Sequence, residues 1–335
     1  MRARDLGIAI GDGVPGPKNG ITDVSGVRVG HTTLVEGDSI RTGVTIVVPP
    51  ATPLFAGCHR LNGNGELTGL EWVRESGLLT TPIGITNTFS VGVVRDAIAA
   101  ASADEDAWSL PVVGETFDGF LNDIRGQHVT AEHARAALET AKGGEVEEGS
   151  VGGGTGMICH EFKGGIGTSS REVGDYVVGV LVQANYGRRE RFRVDGVPVG
   201  RLIGDRIPLP REGDESGSII GIVATDAPLL PQQCDRLAQR AGLGVGRMGG
   251  TAAHSSGDLF FAFATGNSGL DGAGEIPVRM LGDADITPFY AAVIESTEEA
   301  ILNALLASET MTGRDGNTVH ALEPELLLEA LSRQA

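Results

Sequence analysis

Apolar residues gather along this chain in short β-branched runs, set between glycine-rich or polar segments and interrupted by a few stretches of helical spacing. Runs at Val27–Thr33 and Gly43–Val48 predict the first strands, the second nearly all β-branched and buried. Ile83–Thr88, Trp108–Val113, Tyr176–Asn185, Ser218–Ala224 and Leu259–Ala264 predict further strands. Recurrence of apolar positions every three to four residues predicts helices around Leu67–Ser76, over Val91–Ser102 after a Ser90 cap, and over Ala131–Lys142 after a Thr130 cap. Others fall around Leu230–Ala241, over Pro288–Leu306 and over Glu323–Ser332.

Between these elements the chain reads as irregular. Residues 6–20 are rich in Gly and Pro, Cys58–Gly65 is turn chemistry, and 204–217 is a polar loop. The glycine run Gly149–Gly156 leads through Met157–Phe162 into a Gly/Ser loop that ends at Arg171, and Gly242–Gly250 breaks the preceding helix. Arg188, Arg189, Arg191 and Arg193 alternate with Phe192 and Val194 and read as a solvated hairpin. Strands and helices mix without strict βαβ alternation and without an internal repeat. A layered α/β or α+β domain fits better than a doubly wound sheet.

The sharpest change of pattern lies within Arg211–Asp226. A polar, acidic run ends at Ser218, and the apolar strand pattern Ile219–Ala224 starts on the next residue. Two readings remain open from pattern alone. Ser218 is an ordinary strand start, or the Gly217–Ser218 bond is cut and Ser218 becomes a chain terminus carrying hydroxyl and amine together. Such a residue holds its own general base, because the amine can deprotonate the hydroxyl.

Composition narrows the choices. A length of 335 residues allows one large domain or two. With 51 glycines and only 4% aromatics, the core must come from Val, Ile, Leu and Ala. A formal net charge of −18 argues against nucleic acid or an anionic membrane as partner. Three scattered cysteines, Cys58, Cys159 and Cys234, read as reduced thiols. No apolar leader opens the chain and no run has membrane-spanning length, so a cytoplasmic location is expected.

Familiar motifs fail. The run Gly149–Gly156 does not satisfy GxGxxG in register after a strand, and none of the three lysines sits in a P-loop. GxSxG and HExxH are absent, and the seven histidines are dispersed, His160 and His254 included; no metal or cofactor is expected. What remains is a set of polar residues at strand ends: Ser218, Ser256 with Asp258, Asn185 and Glu115. Converging at one end of a sheet, they would supply a nucleophile, a serine backed by a carboxylate, an amide donor and an anionic anchor. That is the inventory of acyl transfer.

Several segments go further. These are Asn-Gly-Ile-Thr-Asp-Val at 19–24, Val-Gly-His-Thr at 29–32, Gly-Gly-Gly-Thr-Gly-Met at 152–157 and Gly-Ser-Ile-Ile at 217–220. Ala-Thr-Asp-Ala-Pro-Leu-Leu at 224–230, Arg-Leu-Ala-Gln-Arg-Ala-Gly-Leu-Gly at 236–244 and Ser-Gly-Asp-Leu at 256–259 join them. With these the chain resembles, from about Gly20 to Ala307, the L-aminopeptidase/D-esterase and β-peptidyl aminopeptidase family of self-processing N-terminal-nucleophile hydrolases.

The resemblance implies an α+β fold, a four-layer αββα sandwich shared with ornithine acetyltransferase, formed by residues 1–335 as a single domain. It implies self-cleavage between Gly217 and Ser218 into an α chain of 1–217 and a β chain of 218–335. Ser218 would be the nucleophile in maturation and in hydrolysis, with Ser256 and Asp258 completing a Ser-Ser-acid arrangement. Asn185 would stabilise the oxyanion, and Glu115 would bind the free amino group of the substrate. The family often has glutamate where this chain has Asp258. After Gly-Glu-Thr it often has a tyrosine with a catalytic hydroxyl, where this chain has Phe117. The implied substrate is a small peptide or an amino-acyl amide or ester, and the implied working form is a homo-oligomer of processed αβ units, to which the apolar 288–306 helix would contribute contacts. An acetyltransferase of the same fold is the alternative enzyme, although that type places threonine at the cut. An uncut, non-catalytic homologue is the other alternative.

Overall fold

The computed structural model describes residues 1–101, 108–210 and 217–333. Ser102, at the end of a predicted helix, and the acids at 212, 214 and 215 of the predicted polar loop lie outside the described residues. The first half carries β1 (Arg28–Glu36), β2 (Ile40–Val48), β3 (Leu54–Gly63), α1 (Leu70–Ser76), β4 (Leu78–Leu79), β5 (Ile83–Asn87), α2 (Val91–Ala100), β6 (Val112–Thr116) and α3 (Ala131–Glu139). Then come β7 (Ile158–Cys159), β8 (Phe162–Lys163), β9 (Gly165–Val173), β10 (Tyr176–Asn185), α4 (Val199–Ile203) and β11 (Ser218–Thr225). The chain finishes with α5 (Pro231–Arg247), β12 (Gly257–Ala264), α6 (Thr287–Leu306), β13 (Met311–Thr312), β14 (Thr318–Val319) and α7 (Pro324–Ser332).

Two sheets face each other, one ordered β1-β2-β5-β6 and the other β4-β3-β12-β11-β10-β9. Helices α2 and α3 cover the outside of the first sheet, and α5 and α6 cover the outside of the second. Three apolar layers result, and strand alternation divides them. Ile220, Ile222 and Ala224 of β11 join Leu181, Phe261, Ile83, Ile85 and Val112 between the sheets. Ile219 and Val223, one residue out of phase, pack with Phe260, Val180 and Val182 under α5 and α6. Val44, Ile46, Val94, Ile98 and Ala134 close the third layer. Each fully buried Val, Ile, Leu or Phe among them contributes about 1.5–3 kcal/mol by leaving water. The molecule is thus the expected four-layer αββα sandwich, and no helix among the described residues is long and apolar enough to cross a membrane.

Most predicted strands and helices are present, and two of the departures share a cause. Gly165–Val173, read as a Gly/Ser loop, is a full strand. A Cβ on Gly167 would lie 1.9 Å from Ala300 O, so its missing side chain lets α6 lie directly on the sheet. Cys58–Gly65, read as a turn, is mostly the second half of β3, which pairs with β12 as far as Gly63. The predicted break after Ala241 does not occur either. α5 runs on to Arg247, and Gly244 takes the close crossing with Ile294 and Thr297 of α6. Glycine here marks backbone approach rather than a turn.

Three further expectations are corrected. The strand predicted at Trp108–Val113 begins at Val112, after Pro111, which has no N–H to give a ladder. The basic patch is no solvated hairpin. Arg189 is buried, its guanidinium 4.2 Å from the Phe162 ring and bonded to the carbonyls of Glu161 and Ile207. Finally, the 288–306 helix is internal over its second half: α6 is buried at every position from Ser296 to Leu306, so only its first turns, where Pro288 and Ala291 are exposed, leave a face for an oligomer contact.

Candidate active site

Sheet topology brings the polar strand ends together. β11 and β12 run parallel, so Ser218 and Gly257 start side by side. β10 runs antiparallel to β11, so its last residue, Asn185, is the direct partner of Ser218. In the facing sheet β5 and β6 are parallel and carry Thr86 opposite Glu115. By alternation Ser218 points the same way as Ile220, toward the other sheet and Glu115. The result is a cavity of about 550 Å³ lined by Ser218, Gly217, Asn185, Glu115 and Phe117, with Thr88 beside them.

In the uncut chain Ser218 Oγ donates to Gly217 O at 2.7 Å. The Gly257 N–H approaches both Gly217 O, at 3.2 Å, and Ser218 Oγ, at 3.3 Å. A backbone donor therefore already sits on the oxygen that would gain charge if Oγ attacked the Gly217 carbonyl.

Asn185 is held from both ends of its amide. Its Oδ1 accepts from Ile158 N–H at 2.8 Å and its Nδ2 donates to Phe117 O at 3.1 Å. One amide hydrogen is thereby used, and the second is left for the cavity. Glu115 is buried. Glu66 N–H donates to its Oε1 at 3.0 Å and the Thr88 hydroxyl donates to its Oε2. Burial pushes the Glu115 carboxyl above its ordinary range, and these two donors oppose that rise. A cation arriving from a substrate would restore the charged form.

Ser256 and Asp258 stand on the other side of the sheet. Alternation along β12 sends Asp258 the way of Phe260 and Ala262, under the helices, and neither residue lines the cavity. Ser256 Oγ donates to Asp258 Oδ1 at 2.6 Å. Burial raises the Asp258 carboxyl to about 6, the Ser256 hydrogen bond pulling the other way. The link between the two faces is Gly257, which stands between Ser256 and Asp258 in sequence, is the ladder partner of Ser218, and brings its N–H to 3.3 Å from Ser218 Oγ. Phe117 is half-exposed at the cavity rim and brings no hydroxyl.

The structure adds residues that the strand pattern passed over. Thr88 and the Glu66 backbone hold Glu115, and Thr88 closes a predicted strand, the same signal that marked Asn185. Glu161 lines the cavity from the tight turn between β7 and β8, where His160 and Glu161 both adopt positive φ. Its carboxylate takes Arg189 N–H at 2.9 Å and lies 3.4 Å from the Arg188 guanidinium, which explains why the basic patch folds inward. Tyr186 also lines the cavity, with its ring in the layer beneath the helices.

Known proteins resemble this chain in sequence and in fold. The model of peptidase family S58 matches residues 19–319. The β-peptidyl aminopeptidase BapA of Sphingosinicella microcystinivorans is 46% identical over 99% of this chain and 92% of its own length. A β-aminopeptidase of Burkholderia sp. superposes with a TM-score of 0.94 at 54% identity, covering 99% of both chains. The L-aminopeptidase D-Ala-esterase/amidase of Ochrobactrum anthropi, a prototype for the serine aminopeptidases and a variant of the Ntn hydrolase fold, superposes at 0.92 with 42% identity over 99% of this chain and 98% of its own. A full-length match in sequence and in layering, around a strand-end serine that faces an amide donor and a buried carboxylate, leads to one conclusion: the chain belongs to peptidase family S58 and is a hydrolase of the aminopeptidase type.

Proposed function

We propose that the chain cuts itself between Gly217 and Ser218 and then releases N-terminal amino-acyl residues from small peptides, amides or esters. Ser218 Oγ attacks the Gly217 carbonyl, an N→O acyl shift gives an ester, and water frees an α chain of 1–217 and a β chain of 218–335. In the mature enzyme the new Ser218 amine takes the hydroxyl proton as Oγ attacks the substrate carbonyl. The free hydrogen of the Asn185 amide stabilises the oxyanion. The amine returns the proton to the leaving group, and water hydrolyses the acyl-enzyme.

Ser256 and Asp258 act on the amine rather than the hydroxyl. They lie on the face away from the cavity, and Gly257 between them is the ladder partner of Ser218. Glu115 binds the substrate ammonium, which limits cleavage to one residue from the N-terminus. The observation that carries this reading is the Ser218–Asn185 pair at the mouth of a cavity whose far wall holds a buried carboxylate.

Intact-mass analysis of the purified protein tests it. Two chains split at Gly217–Ser218 are expected for the natural sequence and one uncut, inactive chain for Ser218→Ala. A natural chain that stays whole while hydrolysing amino-acyl p-nitroanilides would overturn the self-processing claim.

A further inference from the structure

The loop before β12 has no regular structure of its own. Ser256 N–H bonds Ala253 O at 2.8 Å, and Ala252 sits at φ +47°. It is held from outside, by the end of β3. Asn62 Nδ2 donates to Ala253 O at 2.9 Å, to His254 O at 3.2 Å and to Ser256 O. Two amide hydrogens are thus shared among three carbonyl oxygens that otherwise have few donors. Asn64 adds its backbone N–H on Ser256 O at 3.2 Å and its Nδ2 on Ser255 O at 2.7 Å.

The strand is shaped for this contact. Asp258 pairs with Asn62, but Leu259 pairs with Arg60, so Leu61 is an extra residue and β3 bulges there. Bulges re-aim side chains next to active sites. The same segment continues to Glu66, whose N–H holds Glu115, and it threads tightly between the two halves of the site. A Cβ on Gly65 would lie 3.0 Å from Gly257 Cα and 3.1 Å from Glu115 Oε1.

We propose that Asn62 is a positioning residue for the reaction: by gripping the carbonyls of the 253–256 loop it keeps Ser256 on Asp258 beside Ser218. The inference rests on the reading of Ser256 and Asp258 given above. Asn62 does not line the cavity. Its effect therefore belongs in turnover and not in binding.

The experiment compares Asn62→Asp, Asn62→Gln and Ser256→Ala in the full chain with one free-amine p-nitroanilide, rates being expressed per processed chain and thermal midpoints recorded. Asn62→Asp keeps the size but replaces both N–H donors with an oxygen facing three carbonyls. The expected result is a fall in kcat of about tenfold to a hundredfold, in line with the cost of small misplacements in an active site. KM stays within twofold, the midpoint is little changed, and Asn62→Gln, which restores the donor group, recovers a large part of kcat. If Asn62→Asp leaves most chains uncut, a cleavage rate slowed by the same order at an unchanged midpoint supports the proposal equally. An unchanged kcat in Asn62→Asp, or a loss that follows KM or the thermal midpoint and is not recovered by Gln, overturns it. Ser256→Ala with natural kcat would instead sink the reading of Ser256 itself, whereas an impaired Ser256→Ala beside a normal Asn62→Asp sinks only the role of Asn62.

Discussion

Asn185 and Ser218 are the last pair of the β10–β11 ladder, so the register that buries Ile219 and Ala184 also fixes an amide beside a hydroxyl. Slipping β11 by one residue would turn every side chain to the opposite face and empty the cavity mouth. Because both residues sit on strands, the pair is held more rigidly than loop residues would be. Asn185→Asp keeps the acceptor for Ile158 N–H and removes the donor. The expected outcome is a loss in kcat of about 10²–10³ with a small change in KM. Steady-state kinetics on a free-amine ester and amide checks this, and a loss confined to KM would remove Asn185 from the oxyanion site.

Maturation and turnover can be separated at Gly217. A Cβ there would lie 2.7 Å from both Asn185 O and Tyr186 Cα, so an alanine must push the scissile carbonyl away from its present place. Gly217→Ala is expected to slow self-cleavage by about 10²-fold. Once the bond is cut, residue 217 is the free end of the α chain at the cavity wall, and kcat per processed chain is expected to change far less than the rate of cleavage does. The time course of the two chains on a denaturing gel, followed by kinetics on the cut fraction, tests both halves.

Glu115 lines the cavity with each carboxylate oxygen held by a donor, Glu66 N–H on Oε1 and the Thr88 hydroxyl on Oε2. Glu115→Gln preserves the shape and removes the charge. Breaking one partner of a buried charge pair costs about 2 kcal/mol or more, so kcat/KM for free-amine substrates should drop by at least about 30-fold. N-acetylated substrates, poor from the start, should not become worse. Equal losses on blocked and free substrates would show that Glu115 does not read the ammonium.

Much of this was legible in the sequence because strand patterning announces its own ends. Ser218, Asn185 and Asp258 each border a run of Val, Ile, Leu or Phe, and the six-stranded sheet places those borders on one edge. What pattern misread has a physical reason. Gly167 and Gly244 sit where helix backbones come close, and a local rule that equates glycine with a turn has no knowledge of the partner helix. Arg189 was invisible for a similar reason, since its burial depends on Phe162 and Ile207, which are distant in sequence. The division of the site between two faces also escaped, because Ser218 and Asp258 lie on different strands and alternation within each strand does not reveal their relative phase.

The glycine- and proline-rich N-terminal segment, read as irregular, is anchored by a buried ion network. Arg171 Nη2 bonds Glu299 at 2.7 Å and Ile10 O at 2.8 Å, and Glu299 also accepts from Arg4 at 3.0 Å and from Asn19 Nδ2. Arg171 and Glu299 are both fully buried. Arg171→Met leaves Glu299 with Arg4 as its remaining cation and is expected to cost about 3 kcal/mol, the lower end for a broken buried pair. Denaturant midpoints should show this, and pairing the change with Glu299→Leu should recover part of the loss. Activity per folded chain should be unaffected, since the network lies away from the cavity.

Asp258 gives the site a dependence on pH whose sign follows from its burial. Its carboxyl sits at about 6 in the folded chain, against an ordinary value of 3.8, so the folded state binds this proton more tightly than the unfolded chain does. The contribution to stability is complete below about pH 4 and is lost as pH rises through 6, where the buried group must ionise. A shift of this size corresponds to roughly 3 kcal/mol between the two limits. Asp258→Asn has no proton to lose, keeps an oxygen for the Ser256 hydroxyl, and is expected to match or fall below the natural chain at pH 4 while gaining on it steadily toward pH 7. Other buried acids, Asp118 among them at about 6, shift the absolute curves of both proteins alike, so the difference between them isolates Asp258. Denaturant unfolding of both chains at pH 4, 5, 6 and 7 measures that difference. A gap that stays flat across the range would mean that Asp258 ionises as an ordinary surface carboxylate does.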